Sequence, residues 1–129
     1  TREEMKMVWE THKILDENIS INPTAVRVPV LVGHAESIYI ETEKEIDIEL
    51  AKNCLNEFAG ISVIDDVQEV DFPTSFEHGH GTDDVYVGRI RKGLSKNNSL
   101  NLWVVADNVR KGAALNSIQI AENLVGSEM

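Results

Sequence analysis

Apolar positions recur along this chain at two spacings, and the switch between them divides it into helices and strands. Residues 3–15, EEMKMVWETHKIL, place Met5, Val8, Trp9 and His12 at helical spacing and predict a first helix. Asn22-Pro23 breaks that pattern. The β-branched run at 25–32, AVRVPVLV, predicts a largely buried strand. Pro29 has no N–H to give to a ladder, so it puts this strand at an edge or in a bulge. Residues 36–42, ESIYIET, alternate, with Ile38 and Ile40 on one face of a second strand. Asp47 is a predicted helix N-cap, because its carboxylate can accept a free backbone N–H. The segment after it, IELAKNCLNEF, sets Leu50, Ala51, Cys54, Leu55 and Phe58 on one side, and Gly60 suits the stop. ISVID at 61–65, VYVGRIR at 85–91 and SLNLWVVAD at 99–107 read as strands, with a loop at 71–84 and a turn at 96–98. A last helix is predicted from about Lys111 to Leu124, with Ala114, Ile118, Ala121 and Val125 as one stripe. Short turns between strands, with helices interleaved, indicate an α+β fold with a mostly antiparallel or mixed sheet.

Length and charge narrow what such a fold can do. The 129 residues suffice for one domain with a real core. The apolar runs are far too short to span a bilayer, so no membrane role is expected. Thr1 stands where a start methionine would be, and no basic-then-apolar signal precedes the first helix, so the chain reads as a piece of something longer. The net charge of −10 argues against a nucleic-acid binder, which needs a basic face, but leaves room for local sites for small anions. One cysteine, Cys54, cannot form an internal disulfide, and the sequons at Asn18 and Asn97 carry little weight without a secretory signal. A reducing, cytoplasmic setting is expected.

Several residues could carry chemistry, each beside an ordinary explanation. Arg27 offers a rigid fork of donors that matches a carboxylate or phosphate, and His34 can move a proton near neutral pH. Seven positions apart, they lie on opposite faces of any regular strand. They converge only if the chain bulges or turns, which Pro29 and Gly33 permit. The ordinary alternative is an ion pair for Arg27 and a hydrogen-bonded strand-end histidine. Glu3, Glu4 and Lys6 open the first helix, where acidic residues commonly just complement the helix dipole. His78-Gly79-His80 with Asp83 and Asp84 fits no strong metal signature and reads as a solvated loop, so no metal site is expected. Cys54 reads as core, and Trp103 as sheet or interface packing. Asn108 follows the last strand at a strand-to-helix junction, a place suited either to ligand contact or to simple capping together with Asp107.

Taken in order, RVPVLVGHAESIYIET, DDVYVGRIR and LNLWVVADNVRKGAALNSIQIAE, preceded by EEMKMVWETHKIL, resemble the C-terminal half of aspartate-semialdehyde dehydrogenases over nearly the whole chain. The resemblance implies that residues 1–129 are a catalytic and dimerisation domain, with helices packed on one face of its sheet. A Rossmann domain holding NADP and the catalytic cysteine would lie outside this chain. It implies NADPH-dependent reductive dephosphorylation of aspartyl phosphate to aspartate semialdehyde, for lysine, threonine and methionine synthesis, in a homodimer or tetramer. By resemblance, Arg27 grips the substrate carboxylate, His34 is the general acid/base, Glu3 takes the substrate ammonium, Lys6 serves the phosphate site, and Asn108 contacts the nicotinamide amide. Cys54 does not match the family's nucleophile, and the histidines near Glu77–Gly81 depart from the family pattern, so that loop is given no role. Rival readings are a non-catalytic paralogue, a reductase for N-acetyl-glutamyl phosphate, and an amino-acid-binding dimerisation or regulatory module.

Overall fold

The computed structural model describes residues 1–126, so the last three positions of the 1–129 span lie outside the described residues. Helix α1, Arg2–Ile14, starts as its sequence dictates: Thr1 Oγ1 accepts from the Glu4 N–H, and the Glu4 side chain reaches back to Thr1. His12 Nε2 donates to the Ile19 carbonyl at 2.8 Å, tying the helix end to the chain that leaves it. No residue of α1 is buried, and Met5, Met7 and Trp9 face outward.

The apolar run at 25–32 departs from the strand expected there. It is neither a strand nor buried: Val26 is 74% exposed, Val28 58% and Leu31 fully exposed. Around Pro29 the Val30 N–H donates to the Val28 carbonyl at 2.8 Å, a γ-turn that diverts backbone groups from any ladder. The residue types were strand-like, but no strand among the described residues offers them a partner.

The sheet has four strands in the order β1-β4-β3-β2, with β1 His34–Glu41, β2 Ile61–Val63, β3 Val85–Lys92 and β4 Ser99–Ala106. β4 pairs antiparallel with both β1 and β3, while β2 pairs parallel with β3. The sheet is therefore mixed. β2 is shorter than the 61–65 predicted, because Ile64 leaves the ladder after donating to the Val87 carbonyl. β3 carries a bulge between Gly88 and Arg91, at which Arg89 takes φ +55°. Just beyond the end of β2, Asp65 Oδ1 accepts from the Ile90 N–H at 3.3 Å, and Asp65 Oδ2 pairs with Lys52 Nζ at 2.8 Å.

Helix α2, Ile48–Glu57, is capped by Asp47, whose Oδ1 accepts from the Leu50 N–H at 3.0 Å. It covers one sheet face. Ile48, Ala51 and Leu55 pack on Val87, Ile90 and Leu100, with Leu102 and Val104 beside them. Each fully buried side chain of this size stabilises the fold by about 1.5–3 kcal/mol. The predicted stripe was partly out of phase: Leu50, Cys54 and Phe58 are exposed, so Cys54 is not a core residue. Both 50-54-58 and 48-51-55 are helical spacings, and only the packing chooses between them.

The opposite sheet face is covered by the loop that joins β2 to β3. That loop is not simply solvated: Pro73 and Gly79 are buried, and the His78 ring packs on Tyr86 at 4.8 Å between centroids. Trp103 Nε1 donates to the Pro73 carbonyl at 2.8 Å, and Val105 beneath is fully buried. After β4 the chain makes a π-helical turn, Arg110–Ala114, and continues as α3, Leu115–Gly126. No described residue of α3 is buried, and Ile118, Ile120, Leu124 and Val125 are each more than half exposed.

Candidate functional site

Two groups of the expected residues come together, each across a wide gap in sequence. In the first, Glu3 and Lys6 sit one turn apart on α1, on one helix face, and Lys6 Nζ lies 3.8 Å from Glu10 Oε1. Arg27, 24 residues beyond Glu3, reaches back so that its Nη2 lies 3.2 Å from Glu3 Oε2. A second tether holds the two segments in register, since Glu4 Oε1 accepts from the Ala25 N–H at 3.0 Å. Arg27 is 91% exposed and Glu3 64%, so the pair is surrounded by water and its net contribution to stability is small. Both groups keep open hydrogen-bonding capacity for a ligand.

The second group is built at the start of β1. His34 is its first residue, opposite Ala106 in the ladder and exposed, and its side chain has no hydrogen-bond or ion-pair partner among the described residues. Directly before it, Gly33 has φ +91°, and its N–H donates to Asn108 Oδ1 at 2.9 Å. A Cβ on Gly33 would stand 2.6 Å from the Gly79 carbonyl oxygen, so backbone meets backbone here. A turn in the chain between Arg27 and His34 was expected, and bends at Pro29, Leu31 and Val32 followed by Gly33 supply it. No hydrogen bond or ion pair joins His34 to Arg27, Glu3 or Lys6 among the described residues.

Asp107 organises this second group, a role beyond the capping that sequence suggested for it. Its side chain is 3% exposed. Oδ1 accepts from the Val109 and Arg110 N–H groups at 2.8 and 3.0 Å, capping the turn that follows, and Oδ2 accepts from Gly81 N–H at 2.8 Å. These backbone donors, Arg110 and Gly81 foremost, hold its carboxyl below the usual range, and burial opposes them. His80 Nδ1 stands 3.9 Å away. Arg110 Nε also clasps Asp83 at 2.5 Å, which lowers the Asp83 pKa in turn. Asp107 thus fastens the 78–83 loop to the β4 exit, and that loop presents Gly79 to Gly33. The sequence signal was there in hindsight, in Gly33 beside His34 and in the glycines of the 78–81 stretch.

Elsewhere, an open hollow of about 340 Å³ beside the β3 bulge is lined by Ser37, Phe72, Arg89, Arg91, Leu102 and Trp103. Arg89 stacks on the Phe72 ring at 4.9 Å. None of the expected site residues lines this hollow, and its arginines are committed to local contacts. Among the described residues no helix is long and apolar enough to cross a membrane, and no three metal-ligating side chains cluster.

Residues 1–111 match a family model described as "Semialdehyde dehydrogenase, dimerisation domain". Aspartate-semialdehyde dehydrogenase of Shewanella violacea is 56% identical over 126 residues, 97% of this chain and 37% of that protein. The enzyme of that name from Legionella pneumophila is 52% identical over 96% of this chain and 36% of its own length. The crystal structure of aspartate semialdehyde dehydrogenase II from Vibrio cholerae, complexed with ASA, superposes with a TM-score of 0.92 at 52% identity, covering the whole chain and 38% of that one. A probable aspartate-semialdehyde dehydrogenase from Pseudomonas aeruginosa gives a TM-score of 0.88 at 33% identity, again over the whole chain and 38% of that one. The chain spans a little over a third of the length of the curated relatives it matches.

Proposed function

Since the chain belongs to the semialdehyde dehydrogenase family by its dimerisation domain, we propose that residues 1–129 work as the C-terminal catalytic and dimerisation domain of an aspartate-semialdehyde dehydrogenase. The reaction is reductive dephosphorylation of aspartyl phosphate to aspartate semialdehyde, in a cytoplasmic homodimer. The nucleophilic thiol and most of the NADP site come from residues outside this chain. Cys54, exposed on α2 and away from both groups of expected residues in the sequence, is not that thiol.

The observation that carries the reading is the Glu3–Arg27 pair at 3.2 Å. An amino-acid substrate presents an ammonium and a carboxylate a few ångströms apart. A carboxylate and a guanidinium held side by side are complementary to that zwitterion, and in the absence of substrate they neutralise each other. Arg27 takes the carboxylate through its planar fork, and Glu3 takes the ammonium. Lys6, on the same face of α1, adds positive charge for the phosphate. His34 exchanges the proton that thiol addition and collapse of the tetrahedral adducts require. NADPH, when bound, supplies hydride. The residue of this chain that fits its nicotinamide is Asn108: Oδ1 is engaged by Gly33, so Nδ2 is the group left to donate to the carboxamide oxygen.

The test is steady-state kinetics on the full-length enzyme carrying this sequence. Arg27→Lys and Glu3→Gln are each expected to lower kcat/KM for aspartate semialdehyde in the phosphorylating direction, and His34→Asn to lower kcat by roughly 100-fold with little change in KM. Wild-type kcat/KM in both pair variants would remove the substrate reading. An unaltered kcat in His34→Asn would remove the acid/base reading.

A further inference from the structure

His34 has a firm anchor on one side only. Downstream, the β1–β4 ladder fixes its backbone, starting at the His34–Ala106 pair. Upstream lies a bent, largely exposed segment with no ladder. A general acid/base displaced by about an ångström can lose on the order of a hundredfold in rate, so something must hold the peptide that enters His34. Among the described residues, the side chain that hydrogen-bonds that peptide's neighbour is Asn108, whose Oδ1 takes the Gly33 N–H at 2.9 Å across 75 positions of sequence. The contact is half-buried, which protects it from competing water. Behind it, the Gly79 backbone stands where a Gly33 side chain would be, and Asp107 pins that loop through Gly81.

We propose that Asn108 is a positioning residue for His34, and that it couples cofactor contact to proton transfer. The reasoning rests on the acid/base reading of His34 given above. A backbone N–H can only donate, so the Asn108 atom facing Gly33 must be the amide oxygen. That fixes the orientation of the whole amide plane. The Nδ2 group is then presented in one orientation, as a donor, rather than averaging over two. One planar group thereby sets both the chain entering His34 and the donor offered to a nicotinamide carboxamide. This explains why an amide suits the position better than a hydroxyl or a carboxylate, neither of which has an acceptor and a donor fixed at the two edges of one planar group.

Two substitutions separate the halves of the amide. In the full-length enzyme, Asn108→Ala removes acceptor and donor, while Asn108→Asp keeps an acceptor for Gly33 and loses the donor. Asn108→Ala should lower kcat by about tenfold or more, and should flatten or displace the limb of the kcat–pH profile that disappears in His34→Asn. Asn108→Asp should return most of kcat and restore that limb. Both variants should weaken NADPH binding, read directly by fluorescence titration, by roughly three- to tenfold, the scale of one lost hydrogen bond. In the enzyme without NADPH, the His34 imidazole NMR signals should be displaced or broadened in Asn108→Ala and close to wild type in Asn108→Asp. Wild-type kcat, limb and NMR signals in Asn108→Ala, with only NADPH affinity changed, would overturn the positioning role. His34 NMR signals displaced in NADPH-free Asn108→Asp as far as in Asn108→Ala would overturn it too. A limb that survives in His34→Asn would instead remove the acid/base reading on which the inference rests.

Discussion

Replacing Gly33 by alanine should separate two costs that are usually entangled. The first is conformational: φ is +91°, and a side chain on this side of the map costs about 1–2 kcal/mol. The second is steric. The new Cβ would lie 2.6 Å from the Gly79 oxygen, 3.0 Å from its Cα and 3.1 Å from its carbonyl carbon. Relief requires the loop backbone to retreat, yet that backbone is braced by Gly79 N–H on the Ser75 carbonyl and Gly81 N–H on Asp107. Such overpacking adds about 1–3 kcal/mol. Gly60 provides the control, with φ +83° and no atom within 4 Å of a built Cβ, so Gly60→Ala carries the conformational cost alone. Urea unfolding of the full-length enzyme and both variants, at one protein concentration, measures the difference. Gly33→Ala should be less stable than Gly60→Ala by about 1–3 kcal/mol, an earlier midpoint by on the order of 1 M. Equal midpoints would show that the 78–81 loop yields freely, and that the bracing of the Gly33–His34 turn described above is not rigid.

Other consequences can be checked alongside. Arg27→Lys keeps the charge but loses the fork, and should cost about 2–4 kcal/mol in kcat/KM, chiefly through KM; an unchanged KM would contradict its role. The Asp107 carboxyl ionises more readily folded than unfolded, so its contribution to stability is full above the ordinary carboxylate pKa and fades as pH falls through the lower folded value. The stability gap between wild type and Asp107→Asn should therefore narrow on acidification, and a gap that widens would reverse the assignment. Cys54→Ser should leave kcat unaltered, since the thiol is exposed on α2, and a large loss would reopen the identity of the nucleophile. Trp103→Phe keeps an aromatic ring but loses the hydrogen bond to Pro73 and part of the indole volume, for about 1 kcal/mol of stability or more; no loss would contradict the bond's contribution.

What the sequence revealed depended on whether the chain satisfies itself locally. Asp47 and Gly60 announce their helix and its end because capping and φ > 0 are properties of one or two residues. The apolar run in 102–106 is legible because both faces of β4 are covered within this chain, by α2 on one side and the Pro73 loop on the other. Residues 25–32 misled because β-branched character reports that a segment wants cover, not where the cover is. The α2 stripe misled because two phases were equally periodic. The bulge at Arg89 left no sequence signal: an arginine at φ +55° is held there by its surroundings. The proposed site draws on Glu3, Arg27, His34 and Asn108, whose residue types the sequence displays. The Asn108–Gly33 bond was not legible in it, since nothing local connects positions 75 apart.

The strand order sets a timetable for a ribosome. β1 is complete at Glu41, but its sole ladder partner in the sheet, β4, begins only at Ser99, 58 codons later. At about 5–20 residues per second, that is roughly 3–12 s during which β1 waits with no strand to pair with. For those seconds Ile38 and Ile40 hang from a nascent chain whose other strands have yet to form a surface for them. The wait far exceeds the microseconds a hairpin needs, so a holding chaperone has ample time to engage. Glutamates at 36 and 41 bracket the waiting strand with like charge, which discourages two neighbouring nascent chains on one message from zipping together before β4 arrives.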